Sequence, residues 1–181
     1  MEYTVHFDKK LYNSINVVAE NNEKEQIMLV GGRVVNGEIQ IDPNTLKWFT
    51  DKEVIYRDSE SIDINEGVLV KSAMNIAKMG MGNGAVIMIH SHPCKTAYDD
   101  FIYGSLSEDD LKNSKKLYLI SQFQNVKYFD GIATGQHIYI WSIDNENLIP
   151  TQVPCCVDGK LIKTKVPATL SELFSAVTRT K

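Results

Sequence analysis

Residues 84–93 read Gly-Ala-Val-Ile-Met-Ile-His-Ser-His-Pro, with a continuous apolar run at positions 85–89. An apolar run bounded by glycine and proline is typical of a central strand that is covered on both faces. Side chains i and i+2 of a strand project to the same side, so we expect His90 and His92 to aim at one point while Ser91 faces away. Two imidazoles in this arrangement supply half of a typical zinc ligand set.

Helical and strand-like patterns alternate on both sides of this strand. Apolar residues at helical spacing predict helices over residues 8–23 and 66–78, and a serine N-cap begins a third over 107–119. Asn36-Gly37 is a hairpin signal between two β-prone segments. The predicted strands are 27–30, 33–35, 38–41, 54–56, 85–89, 128–133 and 137–143. The fold class is therefore predicted to be α/β (α+β), with a mixed central β-sheet flanked by helices.

Composition narrows the classes of protein to which the chain can belong. With 181 residues it suits one domain and is too short for a (β/α)8 barrel of about 250 residues. Its net charge of −4 disfavours a nucleic-acid binder, and its apolar runs are too short to span a membrane. The polar start is unlike a signal peptide, and three cysteines are a poor disulfide framework. We expect a cytoplasmic protein with neither nucleic acid nor membrane as a partner; the oligomeric state stays open.

A third metal ligand is expected from a nearby carboxylate. The segment Ser107-Glu108-Asp109-Asp110 offers one, because an N-cap at Ser107 places Asp110 in the first helical turn. The same pattern also occurs where serine and acidic residues simply cap a helix and complement its dipole.

Three pieces of sequence together resemble the JAB1/MPN/Mov34 (JAMM) metalloprotease family, in its prokaryotic-type JAB domain form. The family pattern is an upstream glutamate before an apolar strand that ends in glycine, then H-[ST]-H-P, then S-x-x-D. Here Glu25 precedes Ile-Met-Leu-Val-Gly-Gly, residues 90–93 read His-Ser-His-Pro, and Ser107 stands three residues before Asp110. The resemblance covers residues 25–110, and the order of elements extends it to about residue 143.

The resemblance implies an MPN/JAMM (cytidine-deaminase-like) architecture and a catalytic zinc site. By resemblance, His90, His92 and Asp110 bind Zn²⁺, and a water molecule takes the fourth position. Glu25 is then the general base and afterwards the general acid, and Ser107 helps to hold the developing oxyanion. Glu23 is an alternative base, and the alternative carboxylate ligands are Asp99, Asp100 and Asp109.

The resemblance also implies domain boundaries. Residues 1–149 are expected to form the catalytic domain. Residues 150–181 are expected to be a C-terminal tail packed on it, with a tight turn at 157–160 and a short helix after the capping box Thr169-x-x-Glu172. Within this tail, Cys155 and Cys156 are predicted to be small, partly buried thiols rather than metal ligands, because adjacent residues of a strand face opposite ways.

A longer spacer than the family usually has, residues 94–106, separates Pro93 from Ser107. It carries aromatic residues, and we expect Phe101 and Tyr103 to bind substrate beside the site. The alternative is a surface loop packed by its own side chains.

The function implied by the resemblance is that of a deubiquitinase-like zinc isopeptidase. Such an enzyme hydrolyses the amide bond after the C-terminus of a ubiquitin-like protein, so the expected partners are that protein and its conjugates. A short chain resembles the stand-alone bacterial members, which point to a ubiquitin-like conjugation or antiviral defence system, or to sulfur-carrier processing. The alternatives are a metal-free MPN scaffold, a RadC-like protein linked to DNA processing, and a two-histidine, one-carboxylate iron site.

Overall fold

The structure is a computed structural model that describes residues 2–57, 62–79, 84–92, 104–122, 126–143 and 149–162. Helices and strands fill most of these ranges. The helices are α1 Lys9–Asn21, α2 Glu66–Met79 and α3 Glu108–Gln122. The strands are β1 Thr4–Phe7, β2 Ile27–Val35, β3 Glu38–Trp48, β4 Val54–Arg57, β5 Ile62–Ile64, β6 Gly84–Ser91, β7 Lys127–Ala133, β8 Ile138–Ser142, β9 Thr151–Val153, β10 Cys155–Val157 and β11 Lys160–Ile162.

Nine of these strands form one sheet in the order β11-β10-β1-β3-β2-β6-β7-β8-β9, and β4 pairs with β5 alone. Strand β6 lies at the centre, antiparallel to β2 and parallel to β7. A mixed sheet flanked by helices was the fold class expected from the sequence, and the structure confirms it.

The sheet curls on itself. Strand β9 is at one end of the sheet order and β10 is the second strand from the other end. Along the chain, however, only Pro154 separates them. Helix α1 begins at Asp8, whose side chain accepts a hydrogen bond of 2.8 Å from the backbone N–H of Leu11. The apolar face of α1 packs on one side of the curled sheet. This core includes Leu11, Ile15 and Ala19 of α1 with Met28, Ile39, Ile87, Ile89, Phe129, Ile138 and Ile140 of the sheet.

The second face of the sheet is covered by α2 and α3. Alternate residues of β6 divide between the two faces: Ile87 and Ile89 pack with α1, whereas Val86 and Met88 pack with α2. Every residue of β6 is buried, as predicted for a central strand. His90 continues the alternation of Val86 and Met88, so it lies on the side of α2 and α3.

The predicted local elements are found, but some are longer than expected. The two short strands predicted at 27–30 and 33–35 are the single strand β2, which runs through Gly31 and Gly32. The hairpin at Asn36 and Gly37 is confirmed, with φ angles of 53° and 85° that suit a tight two-residue turn. Strand β1 was not predicted, because four residues that alternate polar and apolar carry little signal by themselves.

Part of the expected tail belongs to the main sheet. Strands β9, β10 and β11 extend both ends of it, and β10 pairs with β1 in parallel. The predicted tight turn is confirmed between β10 and β11, with φ angles of 48° at Asp158 and 75° at Gly159. The predicted helix after Thr169 lies outside the described residues. Among the described helices, none is both long and apolar enough to cross a membrane.

Helix α2 can lie close to the sheet because β2 has no side chain at Gly31. A Cβ atom at Gly31 would lie 2.4 Å from Cγ2 of Ile76 in α2. We predict that Gly31→Ala lowers the free energy of unfolding by about 1–3 kcal/mol, the usual cost of overpacking a core. Chemical denaturation of the purified protein measures this change.

The matched control is Gly67→Ala in the first turn of α2. There the nearest atom to the added Cβ is a side-chain oxygen of the exposed Asn65, at 3.3 Å. Alanine favours a helix over glycine by up to about 1 kcal/mol, so this variant should be neutral or slightly stabilised. Equal effects of the two substitutions would contradict the packing argument.

Candidate metal centre

His90 and His92 lie where β6 ends, and their positions are fixed by backbone pairing on both sides. On one side, the Ser91 N–H donates to the Gln26 carbonyl at 2.8 Å; on the other, the His92 N–H donates to the Ala133 carbonyl at 2.9 Å. The two imidazole ring centroids are 4.7 Å apart. Ser91 is buried on the other face, where its hydroxyl accepts from the Gln26 N–H at 2.7 Å. The predicted arrangement, with both histidines on one side and Ser91 on the other, is confirmed.

Asp110 reaches the two histidines from the first turn of α3. Its Oδ1 lies 3.2 Å from Nε2 of His90, and its Oδ2 lies 3.6 Å from Nε2 of His92. One ligand atom from each of the three residues lies within 4.8 Å of the others. The prediction that Asp110 occupies the first helical turn is confirmed, and the long spacer before Ser107 does not keep it from the histidines.

A capping box orients the Asp110 carboxylate. Oδ2 of Asp110 accepts from both the backbone N–H of Ser107, at 2.9 Å, and the Ser107 hydroxyl, at 2.6 Å. In return, the Asp110 N–H donates to Oγ of Ser107 at 3.2 Å. The contacts that begin α3 therefore also hold the carboxylate, with Oδ1 directed to His90.

Glu25 joins the site from the neighbouring strand. The register that pairs Ile27 with His90 in antiparallel strands places Glu25 opposite His92 when it is extended by two residues. Accordingly, Oε1 of Glu25 lies 3.5 Å from Nε2 of His92, and only 4% of Glu25 is exposed. The alternatives Glu23 and Asp109 are both exposed.

Carboxylates next to His90 stabilise a positive charge on its ring. Burial lowers the pKa of His90, but the Asp110 and Asp130 carboxylates outweigh it and raise that pKa well above its usual value. Burial raises the pKa of Asp110, but His90, His92 and Ser107 outweigh it and leave that pKa well below its usual value. Nε2 of His90 is buried without a hydrogen-bond partner among the described residues. The imidazoles of His90 and His92 and the carboxylate of Asp110 form a cluster that could bind a metal ion.

Asp130 is a residue of the site that the sequence analysis missed. It lies in β7 and is 1% exposed, with Oδ1 3.6 Å from Nδ1 of His90. The Gly131 N–H donates to Oδ1 at 2.9 Å, and the buried Ser114 hydroxyl of α3 donates to Oδ2. The available signal was one carboxylate inside the otherwise apolar run Tyr-Phe-Asp-Gly-Ile-Ala at 128–133, since an acidic residue is seldom fully buried unless it has a partner.

A pocket of about 130 Å³ adjoins His90 on the side of α3. His90, Asp110 and Asp130 form part of its wall, and the exposed acidic residues Asp63 and Glu66 also line it. The site therefore has space beside it for part of a bound molecule.

Other predicted residues lie elsewhere. Phe101 and Tyr103, like Asp99 and Asp100, lie outside the described residues, so substrate binding by the two aromatics stays a prediction. Cys155 and Cys156 are free thiols, as predicted, and both are buried. Burial raises the pKa of Cys155 to about 12, because that residue belongs to the core around α1.

We predict that His92→Ala abolishes stoichiometric metal binding, because a three-ligand site has no spare protein ligand. The matched control is His6→Ala, since His6 lies in β1 and pairs with Glu38, away from this cluster. Metal content after gel filtration, measured by inductively coupled plasma mass spectrometry, should be one equivalent in the control. One full equivalent in His92→Ala would contradict the assignment.

Comparison of the chain with protein-family models and with curated proteins finds no match.

Proposed function

We propose that this chain is a zinc-dependent metallopeptidase that hydrolyses an amide bond. The observation that carries the proposal is the convergence of His90, His92 and Asp110, with Glu25 beside them at 3.5 Å from His92. Catalytic zinc sites typically have three protein ligands and one open position, whereas structural sites have four protein ligands. The cluster of described ligands has three members, and a carboxylate suited to proton transfer stands next to it.

Zinc is proposed from the family resemblance, and the donor set is compatible with it. Imidazole and carboxylate ligands suit zinc, although iron and other divalent metals accept them as well. When bound, the ion would act as a Lewis acid that polarises the scissile carbonyl and lowers the pKa of a water molecule. Nε2 of His90 and the carboxylate of Asp110, which lie 3.2 Å apart, would hold it together with His92.

Glu25 is proposed as the general base. It precedes β2 and is not one of the three proposed ligands, which lie on β6, directly after it and on α3. Glu25 can therefore exchange a proton without a change in the ligand set. Its carboxylate takes a proton from the attacking water and then returns it to the departing amine. Burial keeps it away from bulk solvent, and its Oε1 lies 3.5 Å from Nε2 of His92.

The resemblance implies that Ser107 stabilises an oxyanion, but its hydroxyl also has a partner in Asp110. Its hydroxyl hydrogen is directed to Oδ2 of Asp110. A hydroxyl has one hydrogen to donate, so stabilising an oxyanion would require this bond to break. In the structure, Ser107 holds the Asp110 carboxylate, and the oxyanion role stays a prediction.

The substrate class in this proposal is a ubiquitin-like protein joined through its C-terminus, often to a lysine. That part is supported by the resemblance of the Glu25, His-Ser-His-Pro and Ser107-x-x-Asp110 motifs. A role in ubiquitin-like conjugation or antiviral defence has the same support, whereas cytoplasmic location is proposed because three cysteines are a poor disulfide framework. The pocket of about 130 Å³ beside His90 is where we propose that part of the substrate binds.

We predict that Glu25→Gln lowers turnover by about 10²-fold to 10⁴-fold while metal content stays at one equivalent. Glutamine keeps the size of the side chain but cannot take the proton, and this range is the usual worth of a general base. The assay follows cleavage of reporter fusions to the C-termini of ubiquitin and of any ubiquitin-like protein encoded beside the gene. Metal content is measured on the same samples.

The matched control is Glu23→Gln, because Glu23 is two residues away and exposed. It should cleave at the parental rate. Parental turnover in Glu25→Gln would exclude Glu25 as the base. A parent that binds zinc and cleaves none of the fusions would instead favour the scaffold alternative.

A further inference from the structure

Helix α3 presents two side chains, one turn apart, to the ends of β6 and β7. Asp110 faces Nε2 of His90 at 3.2 Å, and Ser114, four residues later on the same face, donates its hydroxyl hydrogen to Asp130. Asp130 in turn faces the other ring nitrogen, Nδ1, at 3.6 Å. His90 is therefore bracketed by two carboxylates, one at each nitrogen.

Asp130 is almost completely buried, so its charged form needs compensating interactions. Burying a carboxylate is costly unless hydrogen bonds and an opposite charge or dipole compensate for it. Asp130 receives hydrogen bonds from the Gly131 N–H and from Ser114, and the imidazole of His90 is the ionisable ring beside it. Tyr128 shares this face of β7, but its buried hydroxyl makes no hydrogen bond within the described part of the chain.

We propose that Asp130, held by Ser114, is a positioning residue for the metal centre. This inference rests on the proposed metal centre. With a metal ion held by Nε2 and Asp110, a carboxylate beside Nδ1 would favour the ring hydrogen on Nδ1, which leaves the lone pair of Nε2 for the ion. The inference accounts for the pairing of a carboxylate at Nδ1 with a buried Nε2 that has no hydrogen-bond partner among the described residues.

A purely structural role would make different predictions. Asp130 also ties α3 to β7 through Ser114, and loss of that tie would lower stability without changing which nitrogen of His90 carries the hydrogen. Asp130→Asn separates the two roles, because asparagine keeps the volume and an acceptor oxygen for Ser114 but removes the charge. The test therefore measures metal affinity and the His90 tautomer as well as thermal stability.

The first measurement is the dissociation constant for Zn²⁺, obtained by competition with a chromophoric chelator. We expect Asp130→Asn to weaken binding by about 10-fold to 100-fold, the usual effect of losing a carboxylate that supports a ligating histidine. Ser114→Ala should weaken it in the same direction by less. Tyr128→Phe is the matched control, because it removes an unpartnered hydroxyl from the same face of β7 and should leave the affinity unchanged.

The second measurement uses the parent protein, so it does not depend on whether a variant folds. In the zinc-loaded parent labelled with ¹⁵N, the ring nitrogen shifts of His90 should show the hydrogen on Nδ1 and the metal on Nε2. A hydrogen on Nε2 with the metal on Nδ1 would overturn the proposal.

The two failures can be told apart. If the parent binds no Zn²⁺, the proposed metal centre fails and the positioning role fails with it. If the parent binds one equivalent and Asp130→Asn binds equally tightly, only the positioning role of Asp130 fails.

Discussion

The hydrogen-bonded register of β6 between β2 and β7 is the constraint on which the site depends. It pairs Ile27 with His90 on one side and Ile132 with His90 on the other. Since side chains alternate along a strand, a slip of one residue would turn both histidines into the core around α1. The same register brings Glu25 opposite His92 and places Asp130 beside the His90 ring. Backbone pairing thus aligns the carboxylates of Glu25 and Asp130 with the two imidazoles.

Helix α3 contributes the third residue of the cluster, Asp110. Its first turn is stabilised by reciprocal hydrogen bonds between Ser107 and Asp110, which is an ordinary way to begin a helix. Here the capping residue Asp110 is also the carboxylate that faces His90. The structural and functional interpretations of the Ser-x-x-Asp pattern are therefore compatible. Because α3 also contacts Asp130 through Ser114, its position on the sheet is tied to the site at two points.

Local sequence patterns predicted the parts of the site that depend on neighbouring residues. The apolar run before His90 identified the central strand, strand geometry put His90 and His92 on one side, and the N-cap at Ser107 placed Asp110. The role of Glu25 came from resemblance rather than from local pattern, since its closeness to His92 depends on pairing between β2 and β6.

Long-range pairing explains what the sequence did not reveal. Asp130 was missed because only the parallel pairing of β6 with β7 brings it to His90, some forty residues away in the chain. Strands β1 and β10 are short, and their place in the sheet is decided by each other and by β3. The curl that brings the ends of the sheet together likewise depends on the whole set of pairings, which no single segment encodes.

The most direct test of the account is anomalous X-ray diffraction at the zinc edge from crystals of the zinc-loaded protein. The account predicts one strong peak at about 2.0–2.2 Å from Nε2 of His90, an imidazole nitrogen of His92 and a carboxylate oxygen of Asp110. Glu25 should stand beside that peak without being one of its ligands. A peak at Cys155 and Cys156 instead, or none among the three residues in crystals grown with excess zinc, would contradict it.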